Sequence, residues 1–326
     1  MSNILLETKD LRVCFKSDAS VVRAADGVSF QVERGKVLGI VGESGSGKSV
    51  TSLSVMRLIP KPNGYIEGGQ ILFHGEDLLR KSEKEMRRIR GNKIAMIFQE
   101  PMSSLNPVFK IGEQLGEALK LHQGISGKEN RRRCMEMLEL VRIADPKKML
   151  DRYPHELSGG MRQRVMIAMA ILCDPELMIA DEPTTALDVT IQAQILQLLR
   201  DLQKKREMSI MFITHDLGVI AEIADRVAVM YAGRIVEEAE VSTLLRSPLH
   251  PYTRGLIDAI PENYDPKFGF RSIPGMQPSA QNMPQGCSFA PRCAYACSEC
   301  GRAVPELVEI QPGHTVRCIL GGKGGM

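Results

Sequence analysis

The sequence predicts an α/β fold built on a phosphate-binding loop, with a mixed central sheet, an antiparallel β subdomain, an α-helical subdomain and a small cysteine-rich C-terminal extension. Three observations lead there. The apolar run Val37-Leu38-Gly39-Ile40-Val41 reads as a buried parallel strand and runs straight into GESGSGKS over residues 42–49. That octet fits G-x-x-x-x-G-K-[ST] at every constrained position, and residues 50–58 after it are apolar at helical spacing. Further apolar runs, 177–182 and 209–214, end in polar and charged residues, the arrangement of buried strands whose C-terminal ends carry chemistry.

Composition bounds the reading. The 326 residues are 43% apolar and 25% charged, values of a globular chain long enough for a sizeable core. A formal net charge of +3 does not argue for nucleic acid, and Arg131-Arg132-Arg133 and Lys204-Lys205-Arg206 read as solvated helix faces. No nucleic-acid partner is expected. The first residues lack the basic-then-apolar pattern of a secretory signal. The longest apolar stretch, 208–233, is interrupted by His215, Asp216, Glu222, Asp225 and Arg226, so no membrane span is expected.

In chain order, residues 5–15 and 25–32 read as strands joined by a polar turn, forming an antiparallel sheet beside the loop. Phe15 is a candidate platform for an adenine ring, with core packing as the alternative. In the loop, Gly42, Gly45 and Gly47 allow backbone conformations a side chain would block, so successive N–H groups turn inward on a polyphosphate. Glu43, Ser44, Ser46 and Val50 complete that cradle. The positive end of the following helix points at the same anion, Lys48 reaches the β- and γ-phosphates, and the Ser49 hydroxyl is placed for Mg²⁺. Chance would produce the pattern in roughly one chain of this length in a hundred.

Residues 60–64 break the helix, 68–75 form a strand and turn, and 94–98 form a strand ending at Gln99, which is placed for Mg²⁺ or the attacking water. From 107 to 156 the apolar period is helical throughout, which predicts a helical subdomain over about 107–172. Ser158, Gly159 and Gly160 then open an apolar helix and make a second anion-binding helix end. One nucleotide needs only one lysine-bearing loop; the second end is expected to serve a nucleotide held by another subunit. Asp181 and Glu182 close the next strand, the first placed to hold Mg²⁺ through water and the second to deprotonate the attacking water. Asp188 caps a helix over 189–204, and the strand at 209–214 delivers His215 for a γ-phosphate contact.

The ordered set GESGSGKS, Gln99, LSGGMRQR, LMIADE, TALD and His215 resembles the nucleotide-binding domain of ABC transporters over about residues 5–240. LSGGMRQR is seldom found outside that superfamily. The resemblance implies an ABC-type P-loop NTPase core, ATP and Mg²⁺ as ligands, and Phe15 as the adenine platform. It implies two such domains facing head to tail, each ATP lying between Lys48 of one chain and the Ser158-Gly159-Gly160 helix end of the other. SPLHPYT at 247–253, GCSFAPRC and a late Cys318 are similar to the tail of oligopeptide and dipeptide importer ATPases, and VTSLSVMRLIP to their D-type subunits. That narrower likeness implies a partner F-type ATPase subunit, two transmembrane permease subunits contacted around residues 99–107, and an extracytoplasmic peptide-binding protein. The place implied is peripheral, on the cytoplasmic face of the cell membrane. Nickel importers of the same family, and soluble ABC ATPases, are the alternatives. A nucleotide kinase would lack LSGGMRQR.

Eight cysteines divide into two groups. Cys14, Cys134 and Cys173 sit in apolar contexts as small buried hydrophobes. Cys287, Cys293, Cys300 and Cys318 match the importer tail, with Cys297 extra. A [4Fe–4S] cluster, which the resemblance implies for some members, is preferred; zinc and free thiols are the alternatives, because spacings of six, seven and eighteen residues are not those of paired zinc knuckles. The expected division is 1–260 for the nucleotide-binding domain and 261–326 for the extension, joined by a Pro- and Gly-rich connector over 261–285 and ending in a disordered tail over 321–326.

Overall fold

The computed structural model describes residues 3–16, 20–99, 105–185, 187–260 and 273–321. Parts of four expectations lie outside these residues: the turn after Phe15, the 100–104 stretch behind Gln99, the first part of the connector (261–272), and the last five residues. Ala186 of the TALD turn also lies outside.

The strands are β1 (Ile4–Lys16), β2 (Val21–Glu33), β3 (Val37–Val41), β4 (Gly64–Phe73), β5 (Glu76–Asp77), β6 (Ile94–Ile97), β7 (Leu177–Asp181), β8 (Ser209–Thr214), β9 (Arg226–Tyr231), β10 (Arg234–Glu240), β11 (Val308–Gln311) and β12 (His314–Val316). The helices are α1 (Lys48–Val55), α2 (Glu83–Ile89), α3 (Ile111–Gln123), α4 (Gly127–Leu140), α5 (Pro146–Met149), α6 (Gly159–Ile171), α7 (Val189–Arg206), α8 (Leu217–Ile223), α9 (Val241–Arg246) and α10 (Pro251–Asp258). By compactness the chain falls into two units, the first Met1–Glu33, Val37–Leu79 and Phe212–Met326, the second Arg34–Lys36 and Arg80–Met211. The described residues of the C-terminal extension, 273–321, are grouped in the first unit.

In the first unit, β1 pairs antiparallel with β2 and β4. Alternation along β1 buries Leu6, Thr8, Leu11 and Val13, and the Thr8 hydroxyl accepts the Phe30 N–H at 3.1 Å inside that core. The register slips between Thr8 and Leu11, where Asp10 takes a left-handed conformation opposite Gly69 at φ 95°. Such a bulge bends the long strand without losing its buried face. The second layer is mixed: β3 runs parallel to β9, while β10 is antiparallel to both β9 and β12, and β11 closes a hairpin on β12. Every residue of β3 is buried, as expected of a central parallel strand.

The hairpin and α10 are anchored by one carboxylate that strand alternation alone would not single out. Glu237 on β10 is fully buried and accepts the Leu249 N–H at 2.7 Å and the His250 N–H at 2.9 Å. Its Oε1 also lies 2.7 Å from Nε2 of His314 on β12. A buried carboxylate is tolerated only with such partners. His250 in turn caps α10, its Nδ1 accepting the Tyr252 N–H at 3.0 Å.

In the second unit β6 and β7 are parallel, with Ile94 opposite Leu177. Helices α3, α4 and α6 supply buried Leu115, Leu119, Leu138, Val165, Ile167 and Ile171. Helices α3 and α4 approach closely at Gly116, where a side chain would strike Asn130; the Asn130 amide donates to the Gly116 carbonyl at 2.8 Å and the Ile125 carbonyl at 3.0 Å. Cys14, Cys134 and Cys173 are buried, and burial pushes the Cys134 thiol up to about 11.

Burial pushes His250 down to about 4, with the Glu237 charge opposing. A folded-state value below that of the unfolded chain means that the unfolded chain takes up the proton first. Stability should therefore fall as pH drops from about 6.5 to about 4, by on the order of 3 kcal/mol, and this component should vanish in His250→Asn, which keeps a capping oxygen. Urea midpoints of both proteins at pH 7 and pH 5 measure the difference.

Candidate nucleotide site

The phosphate loop lies wholly within the first unit, between β3 and α1. Gly45 and Gly47 have φ of 80° and 98°, a region closed to most side chains. A Cβ on Gly42 would strike the Met230 carbonyl oxygen, and one on Gly47 the Ala24 carbonyl oxygen. The loop is therefore folded tightly against β9 on one side and β2 on the other. Backbone bonds complete the seat: Gly233 N–H to the Ser46 carbonyl at 2.9 Å, and Asp26 N–H to the Gly233 carbonyl at 2.8 Å.

Lys48 is only 5% exposed although it opens a helix, and its Nζ donates to the Gly42 carbonyl at 2.7 Å and the Glu43 carbonyl at 2.9 Å. Gly47, the cap residue of α1, brings no side-chain hydrogen bond to the first turn. The Ser46 hydroxyl is buried with no hydrogen-bond partner. A backbone cradle that no Cβ can enter, an inward ammonium and an orphaned hydroxyl fit a polyphosphate. Ser49 and Val50 follow in the first turn and are half-buried, while Ser44 is exposed at the loop's rim.

Phe15 is half-buried near the end of β1, and its ring edge closes against Gly64 on β4. His215 follows β8 and is exposed; Asp216 next to it caps α8 through the Gly218 N–H at 2.8 Å.

The second unit holds the other predicted residues. Gln99 is exposed two residues beyond β6. Asp181, at the end of β7, is 2% exposed, and Glu182 after it is half-buried with φ 48°. A left-handed glutamate costs on the order of 1 kcal/mol and marks a position held by its surroundings. Its Oε2 accepts the Thr185 hydroxyl at 2.8 Å, which aims the carboxylate. Ser158 caps α6, its hydroxyl accepting the Met161 N–H at 3.4 Å, and Ser158 and Gly159 are exposed. The space at Gly159 is open: a Cβ there would meet only Leu187, at 3.8 Å. Asp188 caps α7 through the Ile191 N–H at 2.9 Å.

The cysteine expectation fares differently. Among the described residues, no group of three or more His, Cys, Asp or Glu side chains is arranged to hold a metal ion. The sulfurs of Cys297 and Cys300 are 3.7 Å apart, and neither a four-thiolate iron–sulfur nor a zinc geometry is formed. Burial raises the thiols of Cys287, Cys293, Cys300 and Cys318, with charges of neighbouring cysteines contributing in each case. The four share one small region without composing a ligand set.

Sequence reasoning missed the surroundings of Glu43. The Tyr252 hydroxyl accepts the Glu43 N–H at 2.9 Å, and Arg292 donates to its carboxylate at 2.8 Å. Both partners fall in tail motifs, Tyr252 in SPLHPYT and Arg292 in GCSFAPRC, but nothing in those motifs pairs them with Glu43, more than two hundred residues away along the chain.

The comparisons agree with this geometry. The family model described as ABC transporter matches residues 25–185, and that described as oligopeptide/dipeptide transporter, C-terminal region, matches 236–300. A protein of Sinorhizobium fredii named as a probable peptide ABC transporter ATP-binding protein is 55% identical over 97% of this chain and 95% of its own length. The oligopeptide transport ATP-binding protein OppD of Bacillus subtilis is 53% identical over 97% of this chain and 88% of its own. Among solved structures, the dimeric bacterial ABC transporter cassette MJ0796 superposes with a TM-score of 0.65 at 27% identity, covering 73% of this chain and 99% of that one. A chain with this loop, this signature helix and this breadth of identity belongs to the ABC transporter ATP-binding protein family.

Proposed function

We propose that the chain is the ATP-hydrolysing subunit of a membrane importer of di- and oligopeptides, driven by head-to-tail association with a second ATPase subunit. The observation that carries this reading is the phosphate loop itself, with Gly45 and Gly47 in left-handed conformations and Lys48 turned inward, in a chain so similar to proteins named for peptide transport. Those names favour peptides over nickel as cargo.

In this reading the loop residues 42–50 bind the triphosphate, with Lys48 exchanging its carbonyl partners for the β- and γ-phosphates. Phe15 supports the adenine. Ser49, Gln99 and Asp181 would hold Mg²⁺, which when bound neutralises charge developing between the β- and γ-phosphates. Glu182 accepts the proton of the attacking water, His215 contacts the γ-phosphate, and Asp188 caps α7. Ser158, Gly159 and Gly160 cover the triphosphate of the partner ATPase, expected to be the F-type subunit, and the partner's equivalent covers this one.

Exposed apolar surface supports placement at the membrane. Among the described residues no helix is long and apolar enough to cross a bilayer. Phe98, Val108 and Phe109, on either side of residues 100–104, are 38%, 71% and 51% exposed. Apolar side chains left in water favour docking on two permease subunits at the cytoplasmic face of the membrane, fed by an extracytoplasmic peptide-binding protein. For the cysteine region, a [4Fe–4S] cluster on Cys287, Cys293, Cys300 and Cys318 is supported by their crowding alone, and no catalytic step runs through it.

Three outcomes are expected. Glu182→Gln in the assembled transporter should lower ATP turnover at least about a hundredfold while nucleotide still binds; turnover at the normal rate would remove Glu182 as the base. Gly159→Asp, which has room for its side chain, should leave thermal stability and ATP binding of the isolated chain intact yet cut turnover of the complex at least about tenfold, by repelling the partner's triphosphate. Protein purified without oxygen should show a broad visible absorption bleached by chelator; colourless protein carrying one equivalent of zinc, or no metal, retires the cluster.

A further inference from the structure

The C-terminal region reaches back to the phosphate loop through one residue. Every polar group of Glu43 is engaged. Its N–H donates to the Tyr252 hydroxyl at 2.9 Å, its carboxylate accepts from Arg292 at 2.8 Å, and its carbonyl accepts from Lys48 at 2.9 Å. Two of these partners belong to the segment after residue 250 and the third is the phosphate-binding lysine.

Arg292 is built in rather than draped over the surface. Its side chain is 6% exposed, and the guanidinium lies over the Tyr231 and Phe289 rings at 5.8 and 5.9 Å. It also donates to the Pro274 carbonyl at 2.9 Å, which fixes the direction of the fork toward Glu43. Tyr252 is fully buried, its ring tilted against Tyr231 at 4.6 Å, and burial keeps its hydroxyl neutral. Gln277 from the same segment lies beside Gly45, with its amide nitrogen 3.7 Å from where a Cβ would stand. All of this lies within the first unit.

A free glycine-rich loop would sample many conformations, and ordering it costs conformational entropy at every residue. A charge-assisted bond from a side chain already locked by stacking supplies part of that order before ligand arrives. We propose that Arg292 and Tyr252 are positioning residues of the nucleotide site: they hold Glu43 so that its carbonyl, with that of Gly42, seats Lys48 in the loop. The extension is therefore part of the nucleotide-binding apparatus and not only an appendage. This rests on the loop being the ATP site.

The test uses the full chain. Arg292→Gln should speed amide exchange of residues 43–48 in nucleotide-free protein and weaken binding of a fluorescent ATP analogue about tenfold, with Arg292→Lys recovering part of both. Because the effect runs through Glu43, Arg292→Gln combined with Glu43→Ala should lose no more affinity than the worse single variant, and Tyr252→Phe should weaken binding on its own. A folded Arg292→Gln chain that exchanges and binds as the wild type does, or a double variant whose losses add, overturns the proposal. Should Arg292→Gln fail to fold, Glu43→Ala decides: weakened binding supports the positioning role and wild-type affinity overturns it. A wild-type chain that binds no ATP analogue would sink the functional reading instead, and loop exchange in the apo variants would still decide the positioning role.

Discussion

The close approach of the phosphate loop to two carbonyl groups, Met230 on β9 and Ala24 on β2, is the constraint on which the first unit depends. No residue but glycine fits at 42 and 47, and at 47 the backbone is left-handed as well. The consequence is architectural. A loop that must touch both β9 and β2 needs the mixed layer and the antiparallel layer in fixed positions around it, and the bonds from Gly233 to Ser46 and from Asp26 to Gly233 tie the two layers there. The antiparallel sheet is thus part of the mould in which the loop is cast.

Lys48 shows how that mould stands ready before a phosphate arrives. The Lys48 ammonium sits at the positive N-terminal end of α1 and would be unfavourable there if left bare. Its bonds to the Gly42 and Glu43 carbonyls satisfy the charge and brace the loop at once. In the proposed role, phosphate binding exchanges one set of oxygens for another, with little reorganisation. Glu182 is prepared in the same manner, its left-handed backbone and the Thr185 hydroxyl fixing the carboxylate at the end of β7. Strain of that size persists where the surrounding structure over-determines it.

What could be read from the sequence was local. The loop, the capped helix at Ser158 and the buried strand ahead of Asp181 each declare themselves within a dozen residues, because strand burial, glycine spacing and capping are short-range effects. What escaped was long-range or contradicted a local rule. Strand β9 lay hidden in the apolar stretch 208–233, whose interruptions are split between connections, at His215, Asp216 and Asp225, and elements, with Glu222 inside α8 and Arg226 opening β9. Glu237 looks like a solvated strand residue and is instead the buried anchor of the C-terminal hairpin, a role set by His314, 77 residues on. Arg292 lies in the GCSFAPRC motif, but its meaning depends on meeting Glu43 across 249 residues. The cysteines are the opposite case: crowding in the sequence and the likeness to importer tails suggested ligands, whereas among the described residues no group of three or more potential ligands is arranged around a metal.

The contrast between the two anion-ready helix ends carries the last step. Lys48 is 5% exposed and walled in by backbone, so charge on that side acts in a medium of low dielectric. Ser158 and Gly159 stand in solvent at the start of α6. A helix N-terminus in water contributes only about 0.3–1 kcal/mol toward an anion, far too little to hold a phosphate alone. The same helix end becomes effective only when a second surface excludes water from it, and an exposed face with open space at Gly159 is shaped to receive one. In the proposed head-to-tail pairing its contribution is therefore realised on association rather than on folding. That is the physical condition for nucleotide binding to pull two ATPase subunits together, and for hydrolysis, which removes the bridging phosphate, to let them part.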